Sequence, residues 1–238
     1  MSAVGWVCRR RGGYFCVMAE LIRAVLFDVD GTLVDSNYLN TVAWWEAFAQ
    51  AGHDVQLARI HRAIGMGSDQ LLGELLPADR DRAADDEIAV AHAALYSVYW
   101  SRLRPLPGAA RLLRACHEHG LRVVLASSAG RRELEVLRSV LDADDAIDAV
   151  TSASDVDQSK PAPDLVQVAL QKAGTGPHGA VFVGDAVWDA KACGRAGVAC
   201  VGVLSGGTSE AELRGAGAVR VYSGPAELLE AFPASLLG

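Results

Sequence analysis

The sequence predicts an α/β protein built on a doubly wound parallel sheet that is interrupted near its start by an all-helical insert. Short apolar runs at residues 24–27, 121–126, 180–183 and 198–203 alternate with segments of helical period. The residues fit for chemistry, aspartates, serines and one lysine, follow such runs, and a parallel sheet of this kind gathers its ligands at the carboxyl ends of its strands. Residues 37–104, by contrast, keep a helical pattern throughout and offer no convincing strand.

The first run, Ala24-Val25-Leu26-Phe27, stops at Asp28-Val29-Asp30-Gly31-Thr32. Two carboxylates at the mouth of a sheet repel each other, an arrangement that invites a divalent cation. Asp28 is placed to be both Mg²⁺ ligand and nucleophile, because an aspartate carboxylate can accept a phosphoryl group. Asp30 is placed to protonate a leaving oxygen and then to activate water, and its backbone carbonyl is a further metal ligand. Gly31 permits the tight turn that the two groups require.

In the insert, apolar residues from Leu39 to Ala49, with Trp44 and Trp45 among them, predict a helix ending near Gly52. Further helices are predicted over 57–64, 69–76 and 85–103. The loop Gly65-Met66-Gly67-Ser68 either joins two of these or faces a substrate, and His61 and Arg62 just before it are open to the same two readings. The chain returns to the sheet at Pro105-Leu106-Pro107-Gly108.

An amphipathic helix over 109–119 leads to the second run, which ends in Ser127-Ser128-Ala129-Gly130. A hydroxyl and backbone N–H groups there suit a phosphate, although Ser-Ser alone equally reads as a turn or helix cap. Arg131 comes next at a helix start, within reach of a substrate or simply solvated. After a weak strand at 149–151, Lys160-Pro161-Ala162-Pro163-Asp164 holds a lysine on a stiff segment, suited to a fixed positive charge. The run Ala180-Val181-Phe182-Val183 then ends in Gly184-Asp185, with Asp189 four residues on. Asp185 would complete the metal shell and Asp189 would anchor a metal-bound water. Two more strands, 198–203 and 219–222, flank a capping box at Ser209-Glu210-Ala211-Glu212, a region with no chemistry of its own on this reading.

Composition narrows the function. The 238 residues are 51% hydrophobic and 21% charged, as in an ordinary globular protein, and with a net charge of −7 nothing suggests the basic face that nucleic acid needs. An acidic protein handling an anion must supply positive charge locally. Five cysteines without a Cys-x-x-Cys pair indicate neither a disulfide framework nor a zinc site, and they fit a reducing cytoplasm. No stretch reaches the ~20 apolar residues of a membrane span. Residues 1–20 read as a disordered N-terminal extension, and Met18 would serve as an alternative start.

Taken in order, Asp28-x-Asp30-Gly-Thr, Ser127, Lys160-Pro-x-Pro-Asp and Gly184-Asp185-x-x-x-Asp189 resemble the four motifs of the haloacid dehalogenase-like (HAD) hydrolase superfamily, over Ala24 to about Tyr222. The likeness is nearest to its phosphoglycolate phosphatase and beta-phosphoglucomutase-like members. It implies a Rossmann-like core of residues 21–36 and 105–238, with residues 37–104 as a helical type C1 cap closing over the site. It implies Mg²⁺-dependent hydrolysis of a small phosphorylated metabolite through an aspartyl-phosphate, with Asp28, Asp30, Ser127 and Lys160 catalytic. Asp28, Asp30, Asp185 and Asp189 would serve the metal, and Gly65, Met66, Gly67, Ser128 and Arg131 the substrate. A monomer or homodimer is implied, with no nucleic acid or membrane partner. Dehalogenase and phosphonatase members differ at the position of Asp30. A sugar-phosphate mutase shares all four motifs but usually carries Glu-Asp where this chain has Gly184-Asp185. A non-enzymatic binding protein on the same scaffold would not need all of these positions intact.

Overall fold

The computed structural model describes residues 21–232; the expected N-terminal extension and the alternative start lie outside the described residues. The apolar run 24–27 forms β1 (Ala24–Phe27), every residue of it buried. Gly31 adopts φ +72° and turns the chain into β2 (Val34–Asp35), as the Asp-x-Asp-Gly pattern requires. The insert comes next as α1 (Asn37–Gln50), α2 (Leu57–Ala63), α3 (Ser68–Leu75) and α4 (Asp85–Ser97).

The last of these is shorter than the helical pattern to Leu103 suggests. Pro105 disfavours helix at Arg104, and the chain tightens at 100–102 before entering β3 (Arg104–Pro105). β3 pairs antiparallel with β2, Val34 opposite Pro105 and Asp35 opposite Arg104. The strands on which the chain leaves for the insert and returns from it are thus neighbours.

Beyond Gly108 the chain alternates strand and helix: α5 (Ala109–Glu118), β4 (Arg122–Ala126), α6 (Arg131–Leu141), β5 (Ala149–Thr151), α7 (Asp164–Ala173), β6 (Ala180–Gly184), α8 (Val187–Ala196), β7 (Ala199–Val203), α9 (Glu210–Ala216), β8 (Ala218–Tyr222) and α10 (Pro225–Ala231). The Ser209 capping box forms as expected, its hydroxyl accepting the Glu212 N–H. One six-stranded parallel sheet results, in the order β5-β4-β1-β6-β7-β8. Alternate residues of each strand face opposite layers. Val25, Phe27, Val123, Leu125, Val181 and Val183 pack with α5, α6 and α10. Ala24, Leu26, Val124, Ala126 and Phe182 pack with α7 and α8.

The chain winds outward from β1 to β5 on one side and then returns to build β6 to β8 on the other. β1 and β6 therefore flank the point where strand order reverses, and that crevice is where such sheets bind ligands. The insert has a separate core of Trp44, Phe48, Ile60, Leu71, Leu75 and Ile88. Trp44 is buried in it, while Trp45 is 42% exposed. Among the described residues no helix is long and apolar enough to cross a membrane, and Cys116, Cys193 and Cys200 are buried free thiols.

Candidate active site

At the crevice, β1 ends in Asp28 and β6 in Gly184-Asp185, the two strands being hydrogen-bonded neighbours. The first turn of α8 adds Asp189, and the Lys-Pro segment before α7 brings in Lys160. All four side chains are buried. Lys160 Nζ donates to Asp28 Oδ1 at 2.6 Å and to Asp189 Oδ1 at 2.8 Å. Asp189 Oδ2 accepts the Ala186 N–H at 3.0 Å. Thr32 Oγ1 donates to Asp185 Oδ1 at 2.9 Å and lies 3.2 Å from Asp28 Oδ2, and Asn37 Nδ2 donates to Asp185 Oδ2 at 2.8 Å.

Burial dominates the electrostatics. Together with neighbouring carboxylates it raises Asp28 well above the usual carboxylate range and Asp185 up to about 7, against the lowering effect of Lys160 on both. For Lys160 burial acts in the opposite sense, but the Asp189 and Asp28 charges overcome it and hold the ammonium more firmly protonated than a free lysine. One ammonium against three carboxylates leaves an excess of negative charge in a dry site. Ligand oxygens of Asp28, Asp185 and Asp189 lie within 4.8 Å of one another. Asn37 Oδ1, beside Asp185, is buried and has no hydrogen-bond partner among the described residues. An all-oxygen donor set, surplus negative charge and an orphaned acceptor fit a hard divalent cation.

Asp30 stands apart from that group. Its Oδ1 accepts from Ser36 Oγ at 2.7 Å, and its side chain borders a cavity of about 380 Å³ between the sheet edge and the insert. Burial raises its pKa, while hydrogen bonds from Ser36 and Ser127 and the charge of Lys160 oppose the rise. The same cavity receives Asp28, Gly65, Met66, Gly67 and Ser128. Ser127 is fully buried, its Oγ accepting the Ala129 N–H at 3.0 Å, so it shapes the turn that presents Ser128, Ala129 and Gly130. Arg131 is exposed on the first turn of α6 and does not line the cavity.

Contacts across the cleft hold the insert against the sheet edge. Ser128 Oγ donates to Gly65 O at 3.1 Å, the Gly67 N–H to Ser159 Oγ at 3.1 Å, and Trp188 Nε1 to Arg62 O at 2.8 Å. His61 Nε2 lies 3.0 Å from Gly206 O, and Arg62 pairs with Glu212. His61 and Arg62 thus face the sheet domain away from this cavity.

Several site residues escaped the reading of the sequence. Thr32 and Asn37 lie far from Asp185 in the chain, and only folding brings them to it. The loop after β7 also packs directly against Asp185, a contact the sequence reading did not include. A Cβ on Gly206 would lie 1.6 Å from Asp185 Oδ2, so the absence of a side chain there makes the room Asp185 occupies. The lone signal in the sequence was Gly206-Gly207 directly after a buried strand.

A parallel sheet with buried carboxylates at the ends of adjacent central strands, and a lysine bound to the first of them and to Asp189, defines a class of hydrolases. The chain belongs to that class as a member of the haloacid dehalogenase-like hydrolase family, whose pattern matches residues 22–197, and it is an enzyme. Phosphoglycolate phosphatase from Pseudomonas putida is 29% identical over 192 residues, which cover 78% of this chain and 71% of that protein. The Arabidopsis thaliana protein SUPPRESSOR OF QUENCHING 1, chloroplastic, is 30% identical over 82% of this chain, but the match spans only 19% of its length. Among solved structures, a hydrolase from Pseudomonas syringae superposes with a TM-score of 0.85 at 34% identity, covering 89% of this chain and 98% of that one.

Proposed function

We propose that the protein is a phosphatase that hydrolyses a small phosphorylated metabolite through an aspartyl-phosphate on Asp28. The observation that carries this reading is the buried ammonium of Lys160 shared between Asp28 and Asp189. It fixes a positive charge against the carboxylate that must approach an anionic phosphorus. A relative named for phosphatase activity supports the same reading.

In the first step a carboxylate oxygen of Asp28 bonds to phosphorus while the bond to the leaving oxygen breaks, and Asp30 delivers its proton to that oxygen. In the second step Asp30 takes a proton from water, the resulting hydroxide bonds to phosphorus, and the Asp28 carboxylate departs with inorganic phosphate released. Lys160 neutralises charge on the phosphoryl oxygens, and in this reading the Ser128 backbone N–H helps to hold them. Asp28, Asp185, Asp189 and the Asp30 carbonyl would hold a divalent cation, Mg²⁺ in this reading. When bound, it offsets the charge that develops on the phosphoryl group. Residues 37–104 act as a cap over a core formed by 21–36 and 105–232, with Gly65, Met66, Gly67 and Ser128 facing the substrate. Arg131 takes no part.

Hydrolysis is favoured over transfer to a sugar hydroxyl by Gly184. A Cβ there would meet Asp189 Cγ at 2.5 Å, leaving no room for the glutamate usual in the mutases. Buried free thiols accord with a cytoplasmic setting.

The test is phosphate release from a panel of phosphomonoesters with Mg²⁺ and with EDTA, alongside Asp28→Asn. Release that needs both the metal and Asp28 is the expected result; metal-dependent turnover retained by Asp28→Asn overturns the assignment.

A further inference from the structure

The cavity that Asp28 and Asp30 border extends away from the sheet edge into the insert, where α1 and α4 form its far wall. Its volume of about 380 Å³ is within the range of small-molecule sites, roughly 300–1,000 Å³. A phosphoryl group placed against Asp28 leaves the alcohol half of the substrate in that extension.

The wall there has a definite character. His92 of α4 stacks on Trp44 of α1 at 3.9 Å between ring centroids, and its Nε2 lies 2.8 Å from Asn40 Oδ1. Burial depresses the pKa of His92 to about 3, so the imidazole is neutral, with Nε2–H donating to Asn40. That hydrogen bond leaves the imidazole Nδ1 as an acceptor and the Asn40 amide as a donor. The rim carries Asp69 and Asp157, both exposed. None of the described residues that line the cavity is lysine or arginine. Lys160 is fully buried and already engaged by Asp28 and Asp189. Glu133, also on the wall, is a carboxyl group and supplies no positive charge either.

An anionic group on the alcohol half would therefore leave water for a pocket with no cation to receive it, past two carboxylates at the rim. A buried charge without a partner is unfavourable, and like charges at an entrance slow its approach. Hydroxyl groups, by contrast, meet a neutral donor and acceptor beside an aromatic wall.

Resting on the phosphatase reading of this same site, we propose that the substrate is the monophosphate of a hydroxylated alcohol, with neither a carboxylate nor a second phosphate on its leaving half. The specificity-determining residues are Asn40, Trp44 and His92. This separates the chain from an enzyme suited to phosphoglycolate, the substrate named for one of its relatives.

The experiment compares kcat/KM of the full chain on matched pairs: ethylene glycol monophosphate against phosphoglycolate, glycerol 3-phosphate against 3-phosphoglycerate, and glucose 6-phosphate against glucose 1,6-bisphosphate. The member of each pair with an uncharged leaving half is expected to be preferred at least ~10-fold. Ala93→Arg, which places a cation at an exposed position on the same wall, is expected to narrow that gap by raising turnover of the anionic members. Equal or faster turnover of the anionic members by the unaltered protein overturns the inference and leaves the phosphatase reading in place. Failure to release phosphate from any of these esters and from p-nitrophenyl phosphate overturns both.

Discussion

Lys160 Nζ sits 2.6 Å from Asp28 Oδ1, and neither side chain is open to solvent. Removing one partner of a buried ion pair leaves the other charge uncompensated, at about 3–5 kcal/mol. Here two carboxylates lose their counter-ion together. Lys160→Met is expected to lower unfolding free energy by about that amount at pH 8 in denaturant titrations. Phosphate release should fall at least ~10³-fold.

Acidity should act on the metal-free protein in an unusual direction. Asp28 and Asp185 have folded pKa values raised above those of the unfolded chain, Asp185 to about 7. The folded state then holds protons that the unfolded state gives up between about pH 4 and 7. This contribution to stability is fully present below the unfolded pKa and is lost as pH rises through the folded one. In EDTA, Tm is expected to fall as pH goes from 5 to 8. Added Mg²⁺ should raise Tm, and by more at pH 8, where the carboxylates are ionised. Scanning calorimetry at both pH values checks this; an equal Mg²⁺ effect at the two would count against the carboxylates as ligands.

Gly206 tests the geometry around Asp185. Because a Cβ there would lie 1.6 Å from Asp185 Oδ2, Gly206→Ala must displace that carboxylate. Mg²⁺ affinity measured by calorimetry is expected to weaken ~10–100-fold. Gly73 lies inside α3 with open space at its Cβ position. Gly73→Ala should leave the affinity alone and add roughly 0.5–1 kcal/mol of stability.

The role of Asp30 can be separated from that of Asp28 by the leaving group. An alkoxide needs a proton as it departs and p-nitrophenolate does not. Asp30→Asn is expected to slow alkyl phosphates by ~10²–10⁴. With p-nitrophenyl phosphate, stopped-flow traces should show a burst near one nitrophenolate per enzyme and then a stall, because the aspartyl-phosphate lacks its base. Steady turnover without a burst would assign the proton transfers to another group.

Asp28, Ser127 and Asp185 could be placed from the chain alone because each closes a buried strand, and Lys160 because two prolines stiffen its segment. Local pattern suffices where one stretch of backbone sets both the position and the exposure of a side chain. Thr32, Asn37 and Gly206 could not be found that way. Their significance comes from Asp185, about 150 residues from the first two, and from sterics that arise only when the loop after β7 crosses the mouth of β6. The pairing of Asn40 with His92 across α1 and α4 was hidden for the same reason, since either residue alone reads as an ordinary helix position. The length of α4 was overestimated because its apolar pattern continues beyond Ser97, whereas Pro105 and the pairing of β3 with β2 fix where the chain must straighten.

The pairing of Asp35 with Arg104 brings the ends of the helical insert together, at the ~5 Å separation of facing strand residues. A segment whose two ends already meet behaves as a cassette. Beyond Asn37, which holds Asp185, it can be lengthened or repacked without changing the order of any strand. On the cap reading proposed above, the choice of molecule can then change while the sheet that carries Asp28 and Asp185 keeps its strand order.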